Sequence, residues 1–227
     1  IAAEGVLTEM EALLDPAWPS WTQHAIAWCK AFHEYHIERR PEEARKIVDA
    51  VLQRHGHECT YFSYACEALL PIYDVAAGDF ASALRRCDEL LGRSRDIEST
   101  SIRAYLLSRR ALALVGLGNL DEAESALRTT STMIMQAIGP AIWLFCYIAH
   151  LLAHQGRFVE AATTVAYIEK RMGSDLRLLP PVPMRCYEKA LATIEKRLDT
   201  ESLSRLRLEG LRLSADEVIA MAFPDRN

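Results

Sequence analysis

A chain of 227 residues, half of them hydrophobic, is long enough for one extended core, either as one large domain or as two small ones. Its net charge of −5 comes from 31 acidic and 26 basic residues, the latter scattered mostly as Arg over helical patterns. That excludes a general nucleic-acid surface, which needs concentrated positive charge. The longest strongly apolar run, Ala141 to Ala153, covers about 13 residues and carries His150, short of the roughly 20 a bilayer crossing needs, so a soluble, cytoplasmic protein is expected.

The chain opens Ile1-Ala2-Ala3-Glu4, without an initiator Met or a signal segment, and reads as a piece of a longer polypeptide. Val6, Met10, Leu13 and Leu14 predict a short helix over residues 2–14, ended by Asp15-Pro16. Ser20 is the predicted cap of the next helix, with Gln23 completing a capping box. Trp21, Ala25, Trp28, Phe32 and Tyr35 follow as a stripe down one face, read as core, with a ligand platform as the alternative. Pro41 opens a further helix and Gly56 closes it. Hairpins are then predicted at 58–77 with 80–92, 99–117 with 120–137, and 140–155 with 158–172. Gly78, Gly118 and Gly156 stand where each first helix must stop, and Asp79 and Asn119 can cap the second. Leu179-Pro180-Pro181-Val182-Pro183 cannot be helical throughout and marks a linker or a change of direction. Helices near 184–198 and 201–211 follow, and Ser214-Ala215-Asp216-Glu217 is a capping box for a last short one.

The turns repeat. Gly118-Asn119-Leu120-Asp121-Glu122-Ala123 is matched by Gly78-Asp79-Phe80-Ala81-Ser82-Ala83, by Gly156-Arg157-Phe158-Val159-Glu160-Ala161, and in degenerate form by Arg39-Arg40-Pro41-Glu42-Glu43-Ala44. A period of about 40 residues built from helical patterns indicates stacked helical hairpins, each burying its apolar face against the next. The expectation is an all-α, right-handed array of antiparallel helical hairpins with about eleven or twelve helices and no sheet. It forms one domain over 1–227, with repeats at about 20–175 and capping helices at about 182–223. Ala83, Ala123 and Ala161 fall where paired helices cross closely.

The Gly-x-aromatic-x-x-Ala turn and its flanking helices resemble the tetratricopeptide repeat, whose unit is about 34 residues. Trp28 and Tyr35 occupy that family's aromatic positions. Glu67, Leu107 and Phe145 replace the Trp in later units, and Asp74, Leu114 and Leu152 replace the Tyr, a departure from its peptide-clamp pattern. The tail from Glu209 to Ala222 is similar to the closing segment of large bacterial signal-transducing ATPases that act as transcription regulators. In that family a DNA-binding domain, a nucleotide-switch ATPase and a tetratricopeptide-like array share one polypeptide, and the array senses and interacts. The chain has no Gly-x-x-x-x-Gly-Lys-Ser/Thr phosphate loop and no recognition-helix pattern, so the resemblance implies the C-terminal array alone.

Catalytic and metal readings find little support. No Gly-x-Ser-x-Gly elbow occurs, and Gly116-Leu117-Gly118 follows a helix and lacks the third glycine of a dinucleotide fingerprint. The six cysteines form no Cys-x-x-Cys pair and read as buried thiols. His33 with His36, and Cys146 with His150 and His154, have one-face helical spacing, but a zinc site needs three or four ligands converging within about 2.0–2.3 Å, and the clusters lie three repeats apart. His55-Gly56-His57-Glu58-Cys59 is metal-like only in composition and reads as a loop. No cofactor and no metal is expected.

A ligand or partner is expected on the concave face. Projected onto the repeat, its positions are Ile26, Cys29, His33 and His36, then Ala65, Ala68, Ile72 and Val75, then Tyr105, Ser108, Leu112 and Val115, then Trp143, Cys146, His150 and His154. This surface is poor in charge, which favours an apolar helix, from the parent protein or a second copy, or a mostly apolar small molecule over an acidic peptide tail. The alternative is a tightly wound array that buries the central positions. The function expected is a non-catalytic sensor or interaction array of a bacterial transcription regulator. The competing readings are a stand-alone adaptor holding a peptide or helix, and a helical hydrolase or metalloenzyme.

Overall fold

The computed structural model describes residues 18–55, 61–93 and 99–224, with Gly5 and Glu9 ahead of them in helical conformation. The rest of the predicted helix over 2–14, and Gly56 as a helix stop, lie outside the described residues. Eleven α-helices occur among the described residues, and no strand: α1 Ser20–His36, α2 Pro41–His55, α3 Tyr61–Ala77, α4 Phe80–Arg93, α5 Thr100–Gly116, α6 Leu120–Ala137, α7 Ile142–His154, α8 Phe158–Met172, α9 Pro181–Glu195, α10 Thr200–Gly210 and α11 Ala215–Ala222. A 3₁₀ turn, Gly173–Leu178, joins α8 to α9. None of these helices is long and apolar enough to cross a membrane.

One turn chemistry makes three of the hairpins. Gly78, Gly118 and Gly156 hold φ of 82°, 83° and 76°, the left-handed conformation that costs glycine nothing. The next N–H in each case reaches back across the helix end: Asp79 to the Asp74 carbonyl, Asn119 to Leu114 and Arg157 to Leu152, each at 2.9 Å. These bonds satisfy carbonyls that a helix terminus would leave unpaired. In the degenerate turn Arg39 takes the same conformation at φ 59°. That costs a residue with a Cβ roughly 1–2 kcal/mol. Two long-range hydrogen bonds hold it there, from its Nη1 to the carbonyls of Arg177 and Leu179 at 2.9 and 2.7 Å.

Ala44, Ala83, Ala123 and Ala161 have no exposed surface, as expected where two helices cross with only a methyl group between them. Helix starts are more varied than predicted. Asp79 accepts the Ser82 N–H at 3.0 Å, and Ser214 and Glu217 form the reciprocal capping box. Asn119 makes no side-chain cap bond. The box predicted at Ser20 and Gln23 does not start α1, because Pro19 occupies the cap position and Ser20 is already helical. The proline segment is also corrected. The chain turns helical at Pro181, since prolines in a first turn forfeit no hydrogen bond, and Pro180 is its last extended residue.

The odd-numbered helices α1, α3, α5, α7 and α9 pack in succession as an inner layer, the first four each backed by the even-numbered helix that follows and α9 by α8, and α9 also reaches back to α3. Hydrogen bonds tie this closure. Arg185 donates to the Ala76 and Val75 carbonyls at 2.9 and 2.8 Å, and the Val182 N–H donates to the Tyr35 hydroxyl at 3.3 Å. Further out, α10 and α11 pack on α8, and Arg157 donates to the Ala222 and Met221 carbonyls. The inner face is therefore wound tightly and largely filled by a core in which Leu114, Phe145, Ile148 and Leu152 are almost wholly buried.

Candidate functional site: an aromatic cavity between the two ends of the inner layer

One space in the inner layer stays open, a cavity of about 510 Å³. Helical spacing builds each wall. Trp28, Phe32, Tyr35 and His36 come from one face of α1; Tyr61, Ala65, Ala68, Leu69 and Ile72 come from α3. Helix α5 supplies Ser101, Ile102, Tyr105, Ser108 and Arg109, α7 supplies Trp143 and Tyr147, and the segment entering α9 closes the space with Leu178, Pro180 and Pro183. Ala65 and Ala68 leave the room that the flanking aromatic rings enclose. Those rings brace one another: Tyr105 and Trp143 lie 5.2 Å apart between centroids, Trp143 and Tyr147 5.5 Å, Trp28 and Phe32 5.4 Å, and Phe32 stacks on His36 at 3.8 Å.

The electrostatics are one-sided. Arg109 donates from Nη1 to the Ala68 carbonyl at 2.6 Å, and its guanidinium lies 5.3 Å from the centre of the Tyr105 ring. Among the described residues no Asp or Glu lines the cavity and none forms an ion pair with Arg109. Burial, and then the Arg109 charge, push the His36 imidazole down to about 4, so it is neutral at pH 7. Burial raises the Tyr35 and Tyr147 phenols above their ordinary range, keeping both protonated. Among the described residues Arg109 is thus the single formal charge in a lining that is otherwise mostly apolar and aromatic, with Ser101 and Ser108 as its hydroxyls besides the tyrosines.

Of the concave-face positions expected from the sequence, His36, Ala65, Ala68, Ile72, Tyr105, Ser108 and Trp143 line this cavity. Val75, Leu112, Val115 and Cys146 are core instead, because α9 folds back on α3 and covers the centre of the inner face, and Ile26 is buried toward α2. His150 is buried as well, its imidazole pushed down to about 3 by burial first and the neighbouring His154 second, and His154 itself is exposed. Cys29 and His33 are half-buried on α1, outside the lining. The stripe read as core divides: Tyr35 is buried, Trp28, Phe32 and Tyr35 face the cavity, and Trp21 is 49 % exposed. Arg109, Tyr61, Tyr147 and the Leu178 to Pro183 segment were not expected. The signal available for them was the coincidence of large aromatics at inner positions of α1, α5 and α7 with small residues between them on α3.

Little here suits covalent chemistry. Burial raises the thiols of Cys66, Cys87 and Cys186 to about 12, which leaves them protonated and poorly nucleophilic. Among the described residues no group of three or more His, Cys, Asp or Glu is placed to hold a metal ion; of the His55 to Cys59 stretch only His55 is described. What the arrangement can do is enclose a mostly apolar molecule between aromatic walls and meet it with one cation. Comparison with protein-family models, with curated proteins and with solved structures finds no match to this chain.

Proposed function

We propose that this chain is the non-catalytic sensor array of a bacterial transcription regulator, taking a small-molecule effector into the aromatic cavity and passing its occupancy to the rest of the parent protein through the fit between α1, α3 and α9. The observation that carries the reading is the composition of the cavity wall. Residues as distant in sequence as Trp28 and Pro183 line one space of about 510 Å³, inside the roughly 300–1,000 Å³ range of small-molecule sites. A molecule that fills it touches both ends of the inner layer and so favours the closed winding over any looser one. The adaptor reading calls for a continuous groove along the inner face, and α9 interrupts that course where it packs on α3.

Saturation-transfer NMR of the purified chain against a mixed set of small aromatic and aliphatic compounds tests the effector reading. Competing hits that quench tryptophan fluorescence, with the quench reduced in Trp28→Phe and Trp143→Phe, support it; hits insensitive to both substitutions refute it. The regulator context has its own test in the genomic reading frame. Several hundred upstream codons carrying a phosphate-loop motif support it, and a start codon immediately before Ile1 overturns it in favour of the adaptor.

A further inference from the structure

We propose that the molecule taken into the cavity is a monocarboxylate on a flat or flexible apolar body, an aryl or acyl carboxylate, with its carboxylate paired to Arg109. The inference rests on the cavity reading above and adds the ligand's charge and shape.

The first step is charge balance. A guanidinium stays protonated at any relevant pH, and in a partly dry site it is stabilised by an anion. The acids of α3 are committed elsewhere. Glu67 is paired with Arg93 at 2.6 Å, and Asp74 is paired with both Arg45 and Arg86. Among the described residues the Arg109 guanidinium donates only to the Ala68 carbonyl, which uses one of its five N–H groups and cancels none of its charge. In a protein of net charge −5, a cavity whose single ionised group among the described residues is cationic selects anions locally against the overall field.

Shape and valence come next. The Ala68 carbonyl and the Tyr105 ring hold the guanidinium in place, and its planar fork suits a planar acceptor that takes two parallel N–H bonds, as a carboxylate does. A phosphate monoester brings about two negative charges and calls for more donors than one guanidinium. His36 supplies no second cation near pH 7, since Arg109 and burial hold it neutral. The body of the ligand meets Trp28, Phe32, Tyr105, Trp143 and Tyr147, whose faces accept rings or chains and offer few polar groups.

The test uses the whole 227-residue chain and four probes, 1-naphthoate and octanoate with their neutral amides, titrated by calorimetry at pH 7. Each acid is expected to bind more tightly than its amide by about 10- to 100-fold, the range of a charge-assisted pair. Added salt should weaken the acids and leave the amides unchanged. Arg109→Gln should erase the acid preference while amide binding persists, and Arg109→Lys should retain part of it. The acid-to-amide ratio and its salt dependence are read on the unsubstituted protein, so the test survives any loss of folding in the variants. Equal binding of acid and amide overturns the carboxylate inference and leaves the cavity reading standing. An acid preference undiminished in a folded Arg109→Gln removes Arg109 as its source. Failure of all four probes to bind overturns the cavity reading and this inference together.

Discussion

The closest helix crossing in the tail makes a sharp test of how the array is capped. Gly210, the last residue of α10, lies against α8 with no side chain between the two backbones. A Cβ there would sit 2.4 Å from the Thr163 carbonyl oxygen, 2.7 Å from the Ala166 Cβ and 3.2 Å from the Thr163 carbonyl carbon. Ordinary contact begins at 3.4 Å, so Gly210→Ala forces α10 about 1 Å away from a helix backbone that cannot yield. A 2.4 Å approach to backbone falls in the upper half of the range for overpacking, about 2–3 kcal/mol, and removing a glycine from a helix returns about 0.5–1 kcal/mol, for a net loss of about 1–2.5 kcal/mol. Gly92 near the end of α4 is the matched control, because nothing lies within 4 Å of where its Cβ would be. Gly92→Ala should gain up to about 1 kcal/mol from the same propensity term. Urea denaturation followed by far-ultraviolet circular dichroism reads both, and the Gly210→Ala melting temperature should fall by roughly 2–8 °C. Gly210→Ala as stable as the parent chain, or Gly92→Ala as damaged as Gly210→Ala, would show that α10 does not pack on α8 through Gly210.

Two further outcomes follow from burial. Val115 is 3 % exposed among Leu112, Leu114 and the inner helices, so Val115→Asp should cost about 4 kcal/mol or more and yield an unfolded or insoluble chain; a folded variant with the parent's melt would return Val115 to an open face. His36 and His150 titrate at about 4 and about 3 in the folded chain, below the roughly 6.5 of an unfolded histidine, so the unfolded state binds more protons between these values. Their contribution to stability is complete above pH 6.5 and is lost as pH falls toward 4. His150→Gln should flatten the measured slope of stability between pH 6.5 and 4, and an unchanged slope would refute its assignment.

How much of this could be read from the sequence depends on the range over which each feature is determined. The hairpin turns were legible because each is decided within six residues: a glycine at positive φ, a returning N–H and an alanine at the crossing. The capping box at Ser214 was legible for the same reason, whereas the one proposed at Ser20 lost to Pro19, whose ring already sets the entry angle. Arg109 was not legible. It adjoins Arg110, which pairs with Asp88 and Glu122, and a sequence does not show which of two neighbouring arginines meets acids and which meets a carbonyl on α3. The aromatic stripe of α1 divides between core and cavity, which its spacing does not show, because helical spacing is identical whether a face meets one or the other. What decides between them is the size of the opposing residues, Ala65 and Ala68, and their register against α1 is set by tertiary packing.

The same long-range closure that hid the cavity also gives it a route to influence anything outside it. Arg39, Tyr35 and Arg185 together place five hydrogen bonds between the first inner helices and residues 177–185. Each is worth only about 1 kcal/mol net, and part of that offsets the left-handed backbone at Arg39. These bonds together contribute an amount comparable to what one well-seated ligand adds, since binding at 100 times Kd adds about 2.7 kcal/mol to whichever state binds; apolar packing of α9 on α7 and α8 holds the rest. In the proposed sensor, a ligand touching Trp28 on one side and Pro183 on the other would favour the closed winding, because the full lining is assembled only when α9 lies against α3. Signal transfer in that sensor would need no moving loop and no chemistry: the tail helices α10 and α11 rest on α8, so a change in the winding would carry them with it.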